Sequence, residues 1–134
     1  AVSANFDEAI LLNHDGSVSE GSGENFFMVR DGVIYTPDLT SCLDGITRDT
    51  IFKLAADHGF DVREKRITRD EVYICDEAFF TGTAAEVVPI CEYDGRVVGT
   101  GKRGPVATTL QSGYFNIVKG ENAKYAHWLA PVAE

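Results

Sequence analysis

Short apolar and β-branched runs alternate with Asp-Gly pairs along most of the chain. Asp15-Gly16, Asp31-Gly32 and Asp94-Gly95 each separate two such runs, which is the sequence chemistry of tight hairpin turns. The pattern predicts strands near 8–12, 17–19, 25–30, 33–36, 86–93 and 96–98, with further strands from Asp61 to Ile67 and from Glu77 to Thr81. Helical spacing replaces alternation in three places. Ile51, Leu54, Ala55 and His58 mark one face of a helix that Thr47 caps, Asp49 favours at its positive start and Gly59 stops. Val106, Leu110, Tyr114 and Ile117 mark a second, opened by Gly104-Pro105. A short third helix is predicted over 123–129, and Thr68-Arg-Asp-Glu71 fits a capping box for a single turn.

Strands interleaved with helices imply an α/β fold, and three hairpin turns forbid a purely parallel sheet. The expected architecture is a mixed sheet with flanking helices. At 134 residues the chain suits one domain, and no repeat, low-complexity stretch or linker divides it. Hydrophobic content of 44% and charged content of 25% are ordinary globular values, which excludes disordered and collagen-like classes.

Charge narrows the partners. Lys plus Arg number 12 against 21 Asp plus Glu, a net −9, which opposes binding to a phosphate polymer, so no nucleic-acid partner is expected. No apolar run reaches the ~20 residues that cross a bilayer, and the start lacks a signal-peptide layout, so a cytoplasmic protein with no membrane partner is expected. Cys42, Cys75 and Cys91 are odd in number and widely spaced, which fits buried small side chains better than disulfides or a metal pair. His14, His58 and His127 are scattered, with no ligand spacing between them, so no metal site is expected. The opening run into Ala9-Ile10-Leu11-Leu12 reads as a chain entered mid-protein.

Candidate chemistry lies in the glycine-rich segments. Gly99-Thr-Gly101-Lys-Arg-Gly104 has the GxGxxG form, yet it follows a hairpin late in the chain and no later strand offers an acidic ribose ligand. It reads as a loop rich in left-handed conformations. Glu20-Gly-Ser-Gly-Glu-Asn25, Gly45-Ile-Thr-Arg48 and Thr81-Gly-Thr-Ala-Ala-Glu86 are different. Glycines beside hydroxyls and helix-start amides suit an isolated phosphate, because exposed N–H groups satisfy its oxygens without much basic charge. Gly45-Ile46-Thr47 has that chemistry at the start of a helix. Each segment also has an ordinary reading, as a solvated carboxylate, a cap and a turn.

Taken together the segments resemble the class IV, fold-type IV pyridoxal-phosphate enzymes. The family signature stands as Glu20, Ser22, Asn25-Phe26-Phe27, Ile34-Tyr35-Thr36 and Leu43-Asp44-Gly45-Ile46-Thr47-Arg48, in order. Downstream, 78–89 and the run Gly101-Lys-Arg-Gly-Pro105-Val106 look like the branched-chain amino-acid aminotransferase subgroup. The resemblance implies a mixed, partly barrel-like sheet with flanking helices, and pyridoxal 5'-phosphate as cofactor. It implies that Glu20 meets the cofactor's pyridine nitrogen and that Leu43 packs on its ring. Ile46, Thr47 and Thr83 would hold the phosphate, and the amides of Thr83 and Ala84 would also meet the substrate carboxylate.

The implied reaction is transamination of branched-chain L-amino acids with 2-oxoglutarate. Small-molecule amino acids and 2-oxo acids would be the substrates, and a homo-oligomer the assembly. A D-amino-acid transaminase or a 4-amino-4-deoxychorismate lyase would share Glu20 and the phosphate residues, and a non-catalytic dimerising domain is a reading from another class. In the family the Schiff-base lysine lies upstream of the Glu20 segment, where no lysine occurs before Lys53. The expectation is therefore that 1–134 is the C-terminal large, cofactor-binding domain, with the small domain and catalytic lysine elsewhere, and that the chain by itself is inactive.

Overall fold

The computed structural model describes residues 8–21, 24–38, 46–82 and 86–118. Among the described residues nine strands and three helices follow one another: β1 (Ile10–Leu12), β2 (Val18–Gly21), β3 (Asn25–Arg30), β4 (Val33–Thr36), α1 (Ile46–Asp57), β5 (Asp61–Glu64), α2 (Arg69–Tyr73), β6 (Glu77–Gly82), β7 (Glu86–Pro89), β8 (Glu92–Tyr93), β9 (Arg96–Val97) and α3 (Pro105–Val118). A five-stranded sheet in the order β5-β4-β3-β6-β7 forms the centre, and β1-β2 and β8-β9 are two-stranded ribbons. In the central sheet β4 and β5 run parallel and the other described pairs antiparallel, so the sheet is mixed, as expected.

Local chemistry explains most boundaries. Asp31 and Gly32 have φ of 51° and 79°, and Asp94 and Gly95 of 50° and 77°, the paired positive values of a two-residue hairpin turn. Asp15-Gly16 belongs instead to a wider connection over 13–17, closed by a 2.8 Å bond from Asn13 N to Ser17 O. There the Asp15 carboxylate accepts from the Ser17 hydroxyl and amide, and from Arg66. Those bonds, the Ser17 hydroxyl foremost, hold its carboxyl well below the usual range. The expected strand 86–93 divides into β7 and β8.

α1 begins at Ile46, so Thr47 lies in the first turn and is not the cap the sequence suggested. Gly59 ends the helix at φ +77°, with Phe60 N bonded to Ala55 O. His58 falls beyond the last helical residue and is exposed, so it does not belong to the core face. Thr68 caps α2 by accepting from Glu71 N, while the Glu71 side chain turns to Lys65. Among the cysteines, Cys75 is buried as expected, Cys91 is exposed, and Cys42 lies outside the described residues. The helix expected over 123–129 lies outside them too.

Alternation along β3 sends Phe27 and Val29 into one apolar cluster and Phe26 and Met28 into another. Ile51, Leu54 and Ala55 of α1 with Val106 and Leu110 of α3 cover the first face. Val18 of β2 and Ile67 cover the second. The start of α3 is fixed by a remote carboxylate. Glu77, 7% exposed in β6, accepts from Val106 N at 3.1 Å and Ala107 N at 3.0 Å. A Cβ on Gly104 would fall 2.1 Å from the Glu77 carboxyl carbon, so that glycine makes room for the cap. Gly99 serves the same loop at φ +53°, where a Cβ would meet the Asp76 carbonyl oxygen at 2.1 Å.

Two amide bonds to a buried carboxylate at a positive helix end are worth several times a surface ion pair. Glu77→Ala is expected to lower stability by about 3 kcal/mol in urea unfolding, with Glu77→Gln losing less because one acceptor remains. A loss below about 1 kcal/mol for the alanine variant would show that α3 starts without this carboxylate.

Candidate active site at the sheet end

One end of the central sheet gathers most of the buried polar residues. The register sets Asn25 of β3 against Thr81 of β6, and β4 finishes at Thr36, whose hydroxyl donates to the Phe26 carbonyl at 2.7 Å. All three are buried. Tyr35 pairs with Met28, so Thr36 and Asn25 lie near the same rim of the sheet. The described stretches that border 22–23, 39–45 and 83–85 also end at this rim: Gly21, Asn25, Thr36 and Gly82 are their last or first strand residues.

α1 starts here because Arg48 holds it. Arg48 is 4% exposed, and its guanidinium donates from Nη2 to the Pro37 carbonyl at 3.0 Å and pairs with Glu64 at the end of β5 at 3.2 Å. Its carbon also lies 4.8 Å from the centre of the Phe52 ring. One side chain thus ties the first turn of the helix to the ends of β4 and β5. Thr47 and Thr50 are buried in that turn. α1 packs against β5, β6 and α3.

On the opposite face β2 brings Glu20, partly buried, to the same rim. The next residue, Gly21, lies so close to β6 that an added Cβ would meet Phe80 Cε1 at 2.6 Å. Gly21 also bridges to Glu24 just before β3, so β2 ends at the rim where β3 begins and β4 finishes. Glu20 and Thr47 are therefore brought to one rim. Ile46 is the first residue of α1, placed by its backbone. Leu43, Thr83 and Ala84 lie outside the described residues.

Among the described residues, two buried polar atoms at this end have no hydrogen-bond partner, Arg48 Nε and Thr81 Oγ1. Both can donate. Sequence reading did not find the Arg48 hold on Pro37, the Glu77 cap or the open Thr81 hydroxyl. A signal for Glu77 was present, since period-two alternation puts it on the same face as Phe79, and a buried carboxylate needs donors.

The GxGxxG loop leads into α3, but the amides a diphosphate would use there already bind Glu77. The described residues contain no cluster of side chains able to hold a metal ion and no helix long and apolar enough to cross a membrane. A cavity of about 740 Å³ opens between β1 and the β8-β9 hairpin, lined in part by Ile10, Phe80, Val88 and Tyr93. Among the described residues, none of the candidate site residues lines it.

The model of the family described as amino-transferase class IV matches residues 1–93, and the chain belongs to that family. Within it the chain is 62% identical over 128 residues to the branched-chain-amino-acid aminotransferase of Pseudomonas aeruginosa, covering 96% of this chain and 42% of that protein. The corresponding Escherichia coli enzyme is 46% identical over 128 residues, covering 95% and 41%. The crystal structure of a T.th. branched-chain amino acid aminotransferase complexed with N-(5'-phosphopyridoxyl)-L-glutamate superposes with a TM-score of 0.97 at 50% identity, covering 99% of this chain and 45% of that one. The chain thus spans about two-fifths of the length of the curated relatives it matches.

The two described thiols differ in burial. Burial foremost, and then the neighbouring Asp76 charge, push the Cys75 thiol up to about 11, and its sulfur lies 3.1 Å from the Val72 carbonyl oxygen, while Cys91 is exposed. Iodoacetamide at neutral pH is expected to alkylate Cys91 and to spare Cys75 until the protein unfolds. Equal labelling of both in the native protein, read by peptide mass, would contradict this burial.

Proposed function

We propose that the full-length protein carrying these residues transaminates branched-chain L-amino acids with 2-oxoglutarate, using pyridoxal 5'-phosphate held at the rim where α1 begins. The observation that carries this reading is that β2, with Glu20, and the first turn of α1 both reach the rim of the central sheet where β3 begins and β4 ends. The donor set fits the cofactor. A chain of net charge −9 has to hold a phosphate by amides and hydroxyls more than by bulk charge, and the two unpartnered buried donors lie at this rim. The name shared by the relatives supports the substrate class.

In this reading the amides of Ile46 and Thr47 and the Thr47 hydroxyl hold the phosphate, aided by the positive end of α1. Thr83 completes the set, Leu43 packs on the ring, and the Thr83 and Ala84 amides take the substrate carboxylate. When bound, the cofactor supplies an electron-withdrawing ring that stabilises negative charge at the amino-acid Cα. Glu20 keeps a proton on the ring nitrogen by accepting its hydrogen bond. Arg48 holds the helix start in place, and Gly21 lets β2 lie close enough for Glu20 to reach.

Residues 1–134 form the C-terminal cofactor-binding domain in this reading, and the lysine that carries the cofactor is supplied by another part of the protein. Two lysines of this chain are engaged in ion pairs elsewhere, Lys53 with Asp49 and Lys65 with Glu71. Exposed Leu11, Leu12, Val88 and Val97 support self-association into a homo-oligomer. The protein works in the cytoplasm, where its amino-acid substrates are at hand.

Two variants of the full-length protein test the proposal. Glu20→Gln is expected to keep the cofactor bound yet slow leucine transamination by orders of magnitude, because the ring nitrogen loses its negative partner. Thr47→Val is expected to weaken cofactor binding roughly tenfold or more, the worth of one hydrogen bond to a charged group. Full activity in the first, or an unchanged dissociation constant in the second, would remove the corresponding assignment.

A further inference from the structure

The cavity of about 740 Å³ between β1 and the β8-β9 hairpin shares no described residue with the candidate site. Three of the large apolar side chains in its wall, Leu12, Val88 and Val97, are 44%, 41% and 59% exposed, so they meet water around one hollow. Single apolar side chains on a surface need no account, but several gathered at one cavity mark a contact. Two strand edges open there as well. Among the described residues β1 pairs with β2 alone and β7 is the last strand of the central sheet, and both strands contribute to the wall. Folded proteins cover or blunt such edges.

The way the chain arrives points to what covers the cavity. Glu8 and Ala9, the first described residues, are themselves part of the wall, so residue 7 stands one peptide away from it. Residues 1–7 read Ala-Val-Ser-Ala-Asn-Phe-Asp, apolar at four positions and without a charged side chain before Asp7. Extended, seven residues reach about 24 Å, enough to cross such a hollow. Charge selects among occupants. The wall carries Glu8, Glu92 and Asp94 against Arg69, whose guanidinium already lies 3.9 Å from Asp94. A second copy docking by the same face would bring those carboxylates against their own kind, whereas residues 1–6 bring none. We propose that the segment over 1–7 folds back over this cavity with the Phe6 ring as its anchor, fixing how the full-length chain enters the domain. Leu11, which is not part of the wall, is left for a neighbouring copy. The inference rests on reading this chain as part of a longer protein, and not on where the cofactor binds.

The test uses the full-length protein and its Phe6→Ala, Val97→Asp and Ile74→Asp variants, with the pair Phe6→Ala and Val97→Asp. Each is melted, its mass in solution is measured by sedimentation, and it is titrated with pyridoxal 5'-phosphate. Val97 and Ile74 are exposed alike, 59% and 56%, but Ile74 lies outside the cavity. Ile74→Asp is expected to shift the melting temperature by less than about 1 °C, Val97→Asp to lower it by about 4 °C or more, and Phe6→Ala by about 5 °C or more. The pair is expected to melt no more than about 2 °C below the worse single variant, since both changes open one contact. Val97→Thr, expected to show a smaller loss of the same sign, replaces the aspartate variant if that one does not fold. The proposal is overturned if the Val97 variants melt no lower than Ile74→Asp, if the two losses add, or if Val97→Asp lowers the mass, which would give the cavity to a second copy. A wild type that binds no pyridoxal 5'-phosphate but melts in this pattern removes the cofactor reading and supports this one.

Discussion

The hold of Arg48 on the Pro37 carbonyl and on Glu64 decides where α1 begins, and the candidate site depends on that position. A guanidinium removed from water costs several kcal/mol unless its hydrogen bonds are supplied, so its burial here makes sense only with both partners in place. Because those partners sit at the ends of β4 and β5, the helix start is locked to the sheet rim and not to any one loop. Two further contacts complete the frame: Thr36 on Phe26 keeps the rim of β4 and β3 together, and Gly21 against Phe80 draws in β2. Most residues of the family signature turn out to build this frame. Asn25, Phe26, Phe27, Ile34, Thr36 and Arg48 are all buried, and Glu20 is partly buried.

The two long helices show how the same backbone feature is used in opposite ways. A helix start offers amides without partners inside the helix and a partial positive charge. At α3 the Glu77 carboxylate occupies the amides of Val106 and Ala107, turning a candidate anion site into a joint between β6 and the helix. At α1 the neighbouring buried groups are hydroxyls and an arginine, Thr47, Thr50 and Arg48, a set suited to an incoming anion. The glycine-rich loop before α3 resembles a nucleotide site in letters alone, because Gly99 and Gly104 exist to let Asp76 and Glu77 come close.

What the sequence disclosed follows the range of the interactions involved. Asp31-Gly32, Asp94-Gly95, the Gly59 stop and the Thr68 cap were legible because each is settled within a few residues. The order β5-β4-β3-β6-β7 was not legible, since pairing between distant strands is chosen by packing of whole faces. Thr47 was read as a cap because its residue type suits one, but the hold on Arg48 starts the helix one residue before it. Glu77 meets amides 29 and 30 positions away, and Arg48 a carbonyl 11 away, distances at which no local pattern speaks. Gly45-Ile46-Thr47 suggested a phosphate by its own chemistry, whereas the roles expected of Glu20, Leu43 and Thr83 came only through the family resemblance, for a lone carboxylate and a threonine have ordinary readings of their own.

The central claim is that the start of α1, and not that of α3, receives the cofactor's phosphate. Backbone amide NMR during a titration of the isotope-labelled protein with pyridoxal 5'-phosphate reads both helix starts at once. The account predicts large, saturable shifts at Ile46 and Thr47, absent with pyridoxal, and none at Val106 and Ala107, whose amides Glu77 already holds. Shifts at Val106 and Ala107 with Ile46 and Thr47 unmoved would contradict it.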